Sequence, residues 1–231
     1  MAKFTPGPTI GSISGSIGGT TYSRNRYGAY IRTRAIPITS TTSYALDAKA
    51  RMTTASQAWQ ALTDAQRLAW QMWAAANPIT DSLGQSQALS GQAAYVGISC
   101  RLQNSGDTVL DVPPIAPAPA PLATITLTGD IGIGTSTLAF TDTPLGAGLK
   151  LWFQAAVTNS QGIYFVKPLT RLVSISAAAL ASPYDYEADV NARLGTLTVG
   201  QKITVFASVL DSATGLLSAP LTASVAITST A

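Results

Sequence analysis

The chain has 231 residues, of which 46 % are apolar and only 11 % charged, with a net charge of +3, no histidine and one cysteine, Cys100. That length holds one or two domains, and the apolar content is ample for a core. Charged residues usually reach about 25 % in soluble domains, where they keep a free surface wetted, so so few of them point to a surface largely covered by neighbours. Disorder requires low hydrophobicity, and that condition fails here. A lone cysteine excludes an intramolecular disulfide. Without histidine the chain lacks the commonest general base and the usual zinc and copper ligand. The opening MAKFTPGPTIGS has no apolar stretch of the kind a secretory signal needs. Apolar segments elsewhere are short and broken by Gly, Pro, Ser and Thr, so no membrane span is expected, and the expected place of synthesis is a reducing cytoplasm.

Residues 1–42 form the first predicted segment. GSISGSIGGT is a small-residue run that orders only if something holds it. TTYSRNRYGAYIRTRAIP follows and reads as a β-hairpin, with Thr20 to Arg24 and Ala29 to Ile36 as strands and the turn near Asn25 to Gly28. Period-2 alternation puts Tyr30, Arg32 and Arg34 on one face of the second strand and pairs Tyr22 with Arg24 on the first, an arginine–tyrosine stripe. Lys3, Arg24, Arg26, Arg32 and Arg34 precede the first acidic residue, Asp47, so this arm carries +5 of the overall +3 and the remainder nets −2.

Residues 43–111 read as a helical module. Ser43 is placed as a helix cap, with Ala48, Met52, Ala55, Trp59 and Leu62 recurring every three or four positions. Thr63 to Gln66 spell a capping box, opening a second helix with Leu68, Ala69, Met72, Trp73 and Ala76 as its apolar face and Asn77-Pro78 as its stop. A third helix starts at Ser90, carries Tyr95, Ile98 and Leu102, and ends near Gly106. Trp59, Trp70 and Trp73 read as a small tryptophan-rich core, in preference to a sugar-stacking platform.

Residues 112–122, VPPIAPAPAPL, are spaced for polyproline II and read as a semi-rigid linker. Residues 123–231 then alternate as strands at Thr124–Thr128, Thr137–Thr141, Leu149–Val157, Leu169–Ser176, Tyr184–Val190, Ile203–Leu210 and Leu221–Thr228. Seven short strands in such a span is the count for an immunoglobulin-like sandwich, although jelly-roll and small-barrel folds share the pattern. The expected fold class is therefore α+β and multidomain: an N-terminal β-hairpin arm and small helical module, followed by an all-β immunoglobulin-like sandwich.

Candidate chemistry is thin. There is no phosphate-binding G-x-x-x-x-G-K-[ST] loop, and IGIGTS at Ile131 reads as a turn. Asp185, Glu187 and Asp189 would share one face of a strand and could ligate Ca²⁺, but a solvated sandwich face is the favoured reading. Cys100 has no histidine to activate it and reads as a small buried hydrophobe. No catalytic residue, metal site or cofactor is expected, and the chain is read as a non-enzyme. The arm differs. Lysine is the usual guard of an exposed strand edge, whereas Arg24, Arg26, Arg32 and Arg34, interleaved with Tyr27 and Tyr30, suit bidentate carboxylate or phosphate contacts. These six residues are the candidate partner-binding site. An acidic surface on a neighbouring subunit is favoured over single-stranded nucleic acid, because five charges make a weak nucleic-acid footprint.

The Gly-rich start, the arm YSRNRYGAYIRTRAIP and the stretch WQALTDAQRLAW resemble uncharacterised bacteriophage and prophage virion structural proteins. The matching positions are Gly18, Gly19, Arg24, Asn25, Arg26, Tyr27, Gly28, Tyr30, Arg32, Arg34 and Pro37, then Trp59, Leu62, Thr63, Gln66, Arg67 and Trp70. The C-terminal segment resembles the immunoglobulin-like modules that phages append to head and tail proteins. The resemblance implies a virion component made in the host cytoplasm, with other virion proteins and copies of itself as partners. A capsid decoration or cement protein is the leading expectation. A tail- or fibre-associated host- or glycan-binding adhesin and a nucleic-acid-binding protein are the alternatives.

Overall fold

Three helix starts and one glycine stop organise the middle of the chain. The computed structural model describes residues 2–3, 7, 11–25, 28–36, 40–80, 84–132, 136–141, 143 and 145–229. It divides into two compact units, Met1–Asp47 and Ala48–Ala231.

The first unit is an antiparallel sheet. Strands β1 (Ala2–Lys3), β2 (Gly15–Ile17), β3 (Thr20–Asn25) and β4 (Gly28–Thr33) lie in the order β1-β4-β3-β2. The expected hairpin is there, in the register Asn25↔Gly28 to Thr20↔Thr33. The small-residue run supplies a strand of its own. Gly15 to Ile17 pair with Tyr22 to Thr20, and Gly18, at φ +55°, turns the chain between them, a conformation that costs glycine least. Among the described residues of this unit, none is buried.

In the second unit, α1 (Ser43–Ala61), which begins in the first unit, is followed by α2 (Asp64–Ala76) and α3 (Gly91–Ser105); a two-stranded ribbon of β5 (Ile79–Thr80) and β6 (Ser86–Gln87) separates the last two. Ser43 is the first residue inside α1 and not its cap, because the Leu46 amide already donates to the Thr42 carbonyl at 3.0 Å. The capping box of α2 forms as expected: Thr63 Oγ1 accepts from the Gln66 amide and Gln66 Oε1 accepts from the Thr63 amide. Ser90 caps α3, and Gly106, at φ +75°, closes it.

Two helix faces differ from expectation. On α1, Ala48 and Met52 are exposed and burial begins at Ala55. On α2, Leu68 and Met72 are exposed, and Trp70 and Ala74 face inward. This helix is apolar on most of its circumference, so spacing alone does not choose the face. Trp70 can be buried because its indole N–H donates to the Asp111 carbonyl at 3.0 Å. Trp70 packs edge-on to Tyr95 and Trp73, with centroids 5.4 and 5.8 Å apart, and Trp59 tilts onto Tyr95 at 5.5 Å. The tryptophan-rich core is formed, with Trp70 inside it and Trp59 and Trp73 half-buried.

The C-terminal part contains two antiparallel sheets. Strands β9 (Leu149–Thr158), β10 (Arg171–Ala178), β12 (Lys202–Asp211) and β13 (Leu221–Ala226) form one, in the order β10-β9-β12-β13. Strands β7 (Ile125–Leu127), β8 (Thr137–Phe140) and β11 (Tyr184–Asp185) form the other, in the order β11-β8-β7. Both contribute to one core, in which Leu138 and Phe140 join Leu151, Phe153, Ile203, Val205, Ala207 and Val209. Neither sheet closes on itself, so the small barrel is set aside and the class is α+β with antiparallel sheets. The expected strand Tyr184–Val190 stops after two residues and becomes helix α4 (Glu187–Leu194). There Glu187 and Asp189 occupy the first turn, where carboxylates favour a helix, and Val190 turns inward.

The proline-rich residues 112–122 lie inside the second unit. Pro114 and Leu122 are buried, and Ile115 is fully exposed. The elements on either side of the segment touch. Lys150 Nζ sits 2.7 and 2.8 Å from the two Asp107 carboxylate oxygens and donates to the Ser105 carbonyl, with both side chains largely buried. Gly215 lies against α3 at φ +68°, and a Cβ there would stand 2.8 Å from Ile98 and 2.9 Å from Leu102. Arg101 reaches the Gly215 carbonyl at 3.4 Å, and burial pushes its guanidinium pKa down.

Two measurements check this packing. Gly91→Ala would place a Cβ 2.7 Å from the Gln71 backbone nitrogen, and Gly215→Ala combines a clash with a positive φ. Each is expected to cost about 1–3 kcal/mol in thermal melts. Gly97→Ala, with nothing within 4 Å of the new Cβ, should raise stability by roughly 0.5–1 kcal/mol. Lys150→Ala leaves Asp107 buried without its partner and should cost about 3–5 kcal/mol. A Lys150→Met, Asp107→Leu double variant should recover much of that loss in denaturant titrations.

Candidate functional site

The hairpin register decides where the arm's charges point. In an antiparallel pair, residues directly opposite each other share a face. Ser23 pairs with Tyr30 and Thr21 with Arg32, so Tyr30 and Arg32 lie on one face with two hydroxyl residues. Tyr22 pairs with Ile31 and Arg24 with Ala29, which puts Tyr22 and Arg24 on the opposite face. The arginine–tyrosine stripe is therefore two half-stripes, one on each side of the sheet. Arg34 lies one residue beyond β4, and its amide donates to the Gly19 carbonyl at 2.9 Å, tying the end of the hairpin to the glycine turn. Arg26 and Tyr27, and Pro37 of the resembling pattern, lie outside the described residues.

Arg24, Arg32 and Arg34 are exposed. Among the described residues none of the three side chains has a salt bridge or hydrogen bond. Arg24 and Ala29 line a cavity of about 350 Å³ with the segment Gly11 to Ser14. The other face of the sheet carries a Ser16–Thr21 hydroxyl contact at 2.9 Å. Guanidinium groups held on a strand, uncompensated and wet, can offer paired N–H donors to carboxylate or phosphate oxygens.

The acidic residues are not gathered as the alternation predicted. Asp185 is on β11, and Glu187 and Asp189 are on α4, so no strand face carries the three. Asp185 instead accepts from the Glu187 amide at 3.1 Å and helps start the helix. Asp189 accepts a short hydrogen bond from the Tyr184 hydroxyl, which also contacts Ser174 Oγ at 2.5 Å. No cluster of three His, Cys, Asp or Glu residues able to hold a metal ion occurs among the described residues. Cys100 is half-buried on α3, and burial pushes its thiol pKa up. Asp130 accepts from the Gly132 amide at 2.9 Å, so IGIGTS begins as a turn. No described helix is long and apolar enough to cross a membrane.

Sequence reading missed the tyrosine hydroxyls. Burial, then the bond to Asp189, pushes the Tyr184 pKa well above the usual range. Burial, then the charges of Glu187 and Asp185, does the same at Tyr186, whose hydroxyl donates to the Thr128 carbonyl at 2.6 Å. No sequence signal separates these tyrosines from the exposed ones: Tyr186 finds its carbonyl 58 residues away, and Tyr184 reaches Ser174 on a neighbouring strand and Asp189 on the helix that replaces the expected strand. No protein-family model matches this sequence, and no curated protein matches it.

Two outcomes are expected here. Arg24→Ser, Arg32→Ser and Arg34→Ser together should leave the melting temperature unchanged, because none of the three side chains makes a described hydrogen bond or ion pair and the Arg34 backbone amide is kept. For Tyr184 and Tyr186 the folded pKa values lie above the unfolded value of about 10. Their contribution is thus fully present below about pH 10 and is lost as pH rises toward the folded values. Melting temperature followed from pH 7 to 11 should hold and then fall, and a Tyr184→Phe, Tyr186→Phe variant should show a shallower alkaline fall.

Proposed function

We propose that this chain is a non-enzymatic structural protein of a bacteriophage virion, a capsid decoration or cement protein that attaches through its N-terminal sheet. The observation that carries this reading is a basic four-stranded sheet that buries none of its described side chains. A sheet is stable when one face is covered. In this one Ile17, and Ile36 just beyond β4, are more than 70 % exposed, and its described arginines have no acidic partner. An acidic, partly apolar surface on a major capsid or tail protein, or on another copy of the chain, would satisfy both deficits. Nucleic acid is the weaker partner, because the charges are divided between two faces and are few.

The second unit is read as the displayed part of the protein, with an immunoglobulin-like arrangement of its two sheets. Seven antiparallel strands split four and three over one core support that reading. The adhesive mechanism needs no chemistry. Each exposed ion pair is weak, but many copies binding a folded shell stabilise it by mass action.

The test is incorporation into particles. Replacing Arg24, Arg26, Arg32 and Arg34 by Ser should leave the purified protein folded and remove it from assembled particles. Lys replacements should rescue in part, because a point charge does not reproduce bidentate geometry. Wild-type occupancy should fall as salt rises. Copy number on purified particles separates the readings: hundreds per particle fits cement, and a few fits an adhesin. Full incorporation of the Ser variant would remove the arm as the attachment element.

A further inference from the structure

The helical module carries a second surface feature, which the arm does not explain. Between the end of α1, the middle of α2 and the start of α3 lies an open cleft of about 680 Å³, within the range of small-ligand sites. Trp59, Gln60, Arg67, Gln71, Leu89 and Gln92 are among the residues that line it.

Its chemistry is specific. Trp59 offers a half-buried indole whose orientation is set from behind by Tyr95. Gln60, Gln71 and Gln92 are exposed amides, and among the described residues their side chains have no hydrogen-bond partner. The one charged lining residue, Arg67, is already engaged: its guanidinium donates to Asp64 Oδ1 at 3.2 Å, to the Gln60 carbonyl at 2.7 Å and to the Trp59 carbonyl at 3.4 Å. The walls are also fixed in place. α3 starts against α2 so closely that Gly91 has no room for a Cβ, and both helix starts are capped.

We infer that this cleft binds a neutral pyranose oligosaccharide. A sugar ring presents C–H groups to the indole face and a rim of hydroxyls that both donate and accept. Primary amides answer such a rim, because each carries two donors and an acceptor. A peptide ligand would need apolar anchor pockets or a free strand edge; Trp59 and Leu89 are the apolar side chains of the cleft, set among amides, and no lining residue belongs to a strand. A nucleic acid would need several uncompensated cations, and the cleft's one arginine is paired with Asp64. An anionic sugar is disfavoured for the same reason. The inference does not rest on attachment through the arm, and it assigns the glycan contact to the helices instead of to loops of the C-terminal sheets.

The experiment uses the purified full chain with maltotriose, chitotriose and lactose, each at about 10 mM, a concentration that reveals even millimolar binding. Saturation-transfer NMR should show contact with at least one of the three, and the indole N–H resonance lost in Trp59→Phe should be the one that shifts in the wild type. Gln60→Ala with Gln92→Ala should weaken binding about tenfold, with an unchanged melting temperature because both side chains are exposed. Leu68→Ser, on the outer face of α2, should bind as wild type. Absence of transfer from all three sugars overturns the inference, as does binding that the double glutamine variant leaves unchanged. Particle incorporation is a separate readout, so failure here leaves the reading of the arm standing.

Discussion

The Lys150–Asp107 ion pair is the contact on which the second unit's architecture turns. It is largely shielded from water, with nitrogen-to-oxygen distances of 2.7 and 2.8 Å. A buried pair of this kind costs desolvation and repays it only when the remaining hydrogen-bonding capacity is filled. Here Ser105 fills it, its hydroxyl donating to Asp107 and its carbonyl accepting from Lys150. The pair ties the end of α3 to the start of β9, and Gly215 packs against the same helix close by. A semi-rigid proline segment 11 residues long would otherwise let helices and sheets move apart. With this seam in place, the segment becomes a strap along one body, and Trp70 bonded to Asp111 holds its first end.

The first unit obeys the opposite rule. Its four strands are paired into one sheet, and yet it buries no described side chain. Backbone pairing without a covered face is a marginal arrangement in water. Its described arginine side chains likewise have no ion pair, so the described part of the unit is short of both apolar cover and negative charge. One partner surface could supply the two together, and that economy is the ground on which a protein partner is proposed in preference to a polyanion.

Capping, turns and long apolar alternation were legible in the residues because they are local. Thr63 with Gln66, Ser90, Gly106, and the alternating Ile203, Val205, Ala207 and Val209 each act within a few positions of themselves. Six of the seven expected C-terminal strands are present. The seventh misled because Tyr184 to Val190 alternates in period two and also satisfies a helix from Glu187 onward. The partners that decide between the two are the Thr128 carbonyl just after β7, the Ser136 carbonyl just before β8 and the Ser174 hydroxyl on β10. The arm's residues were legible as a basic cluster, but their division between two faces follows from cross-strand pairing.

By itself, then, the sequence determined the α+β class, the helix ends, the strand-rich C-terminal part and the concentration of positive charge before Asp47. All of these rest on propensity, periodicity and capping, which operate over a turn or a strand. The tertiary structure alone decided that α2 buries Trp70 in place of Leu68 and Met72, that Asp185, Glu187 and Asp189 part company, and that the proline strap lies within one unit. Each of these depends on partners dozens of residues away, such as Asp111 for Trp70 and Lys150 for Asp107, and no local pattern carries the energy of a contact that only folding creates.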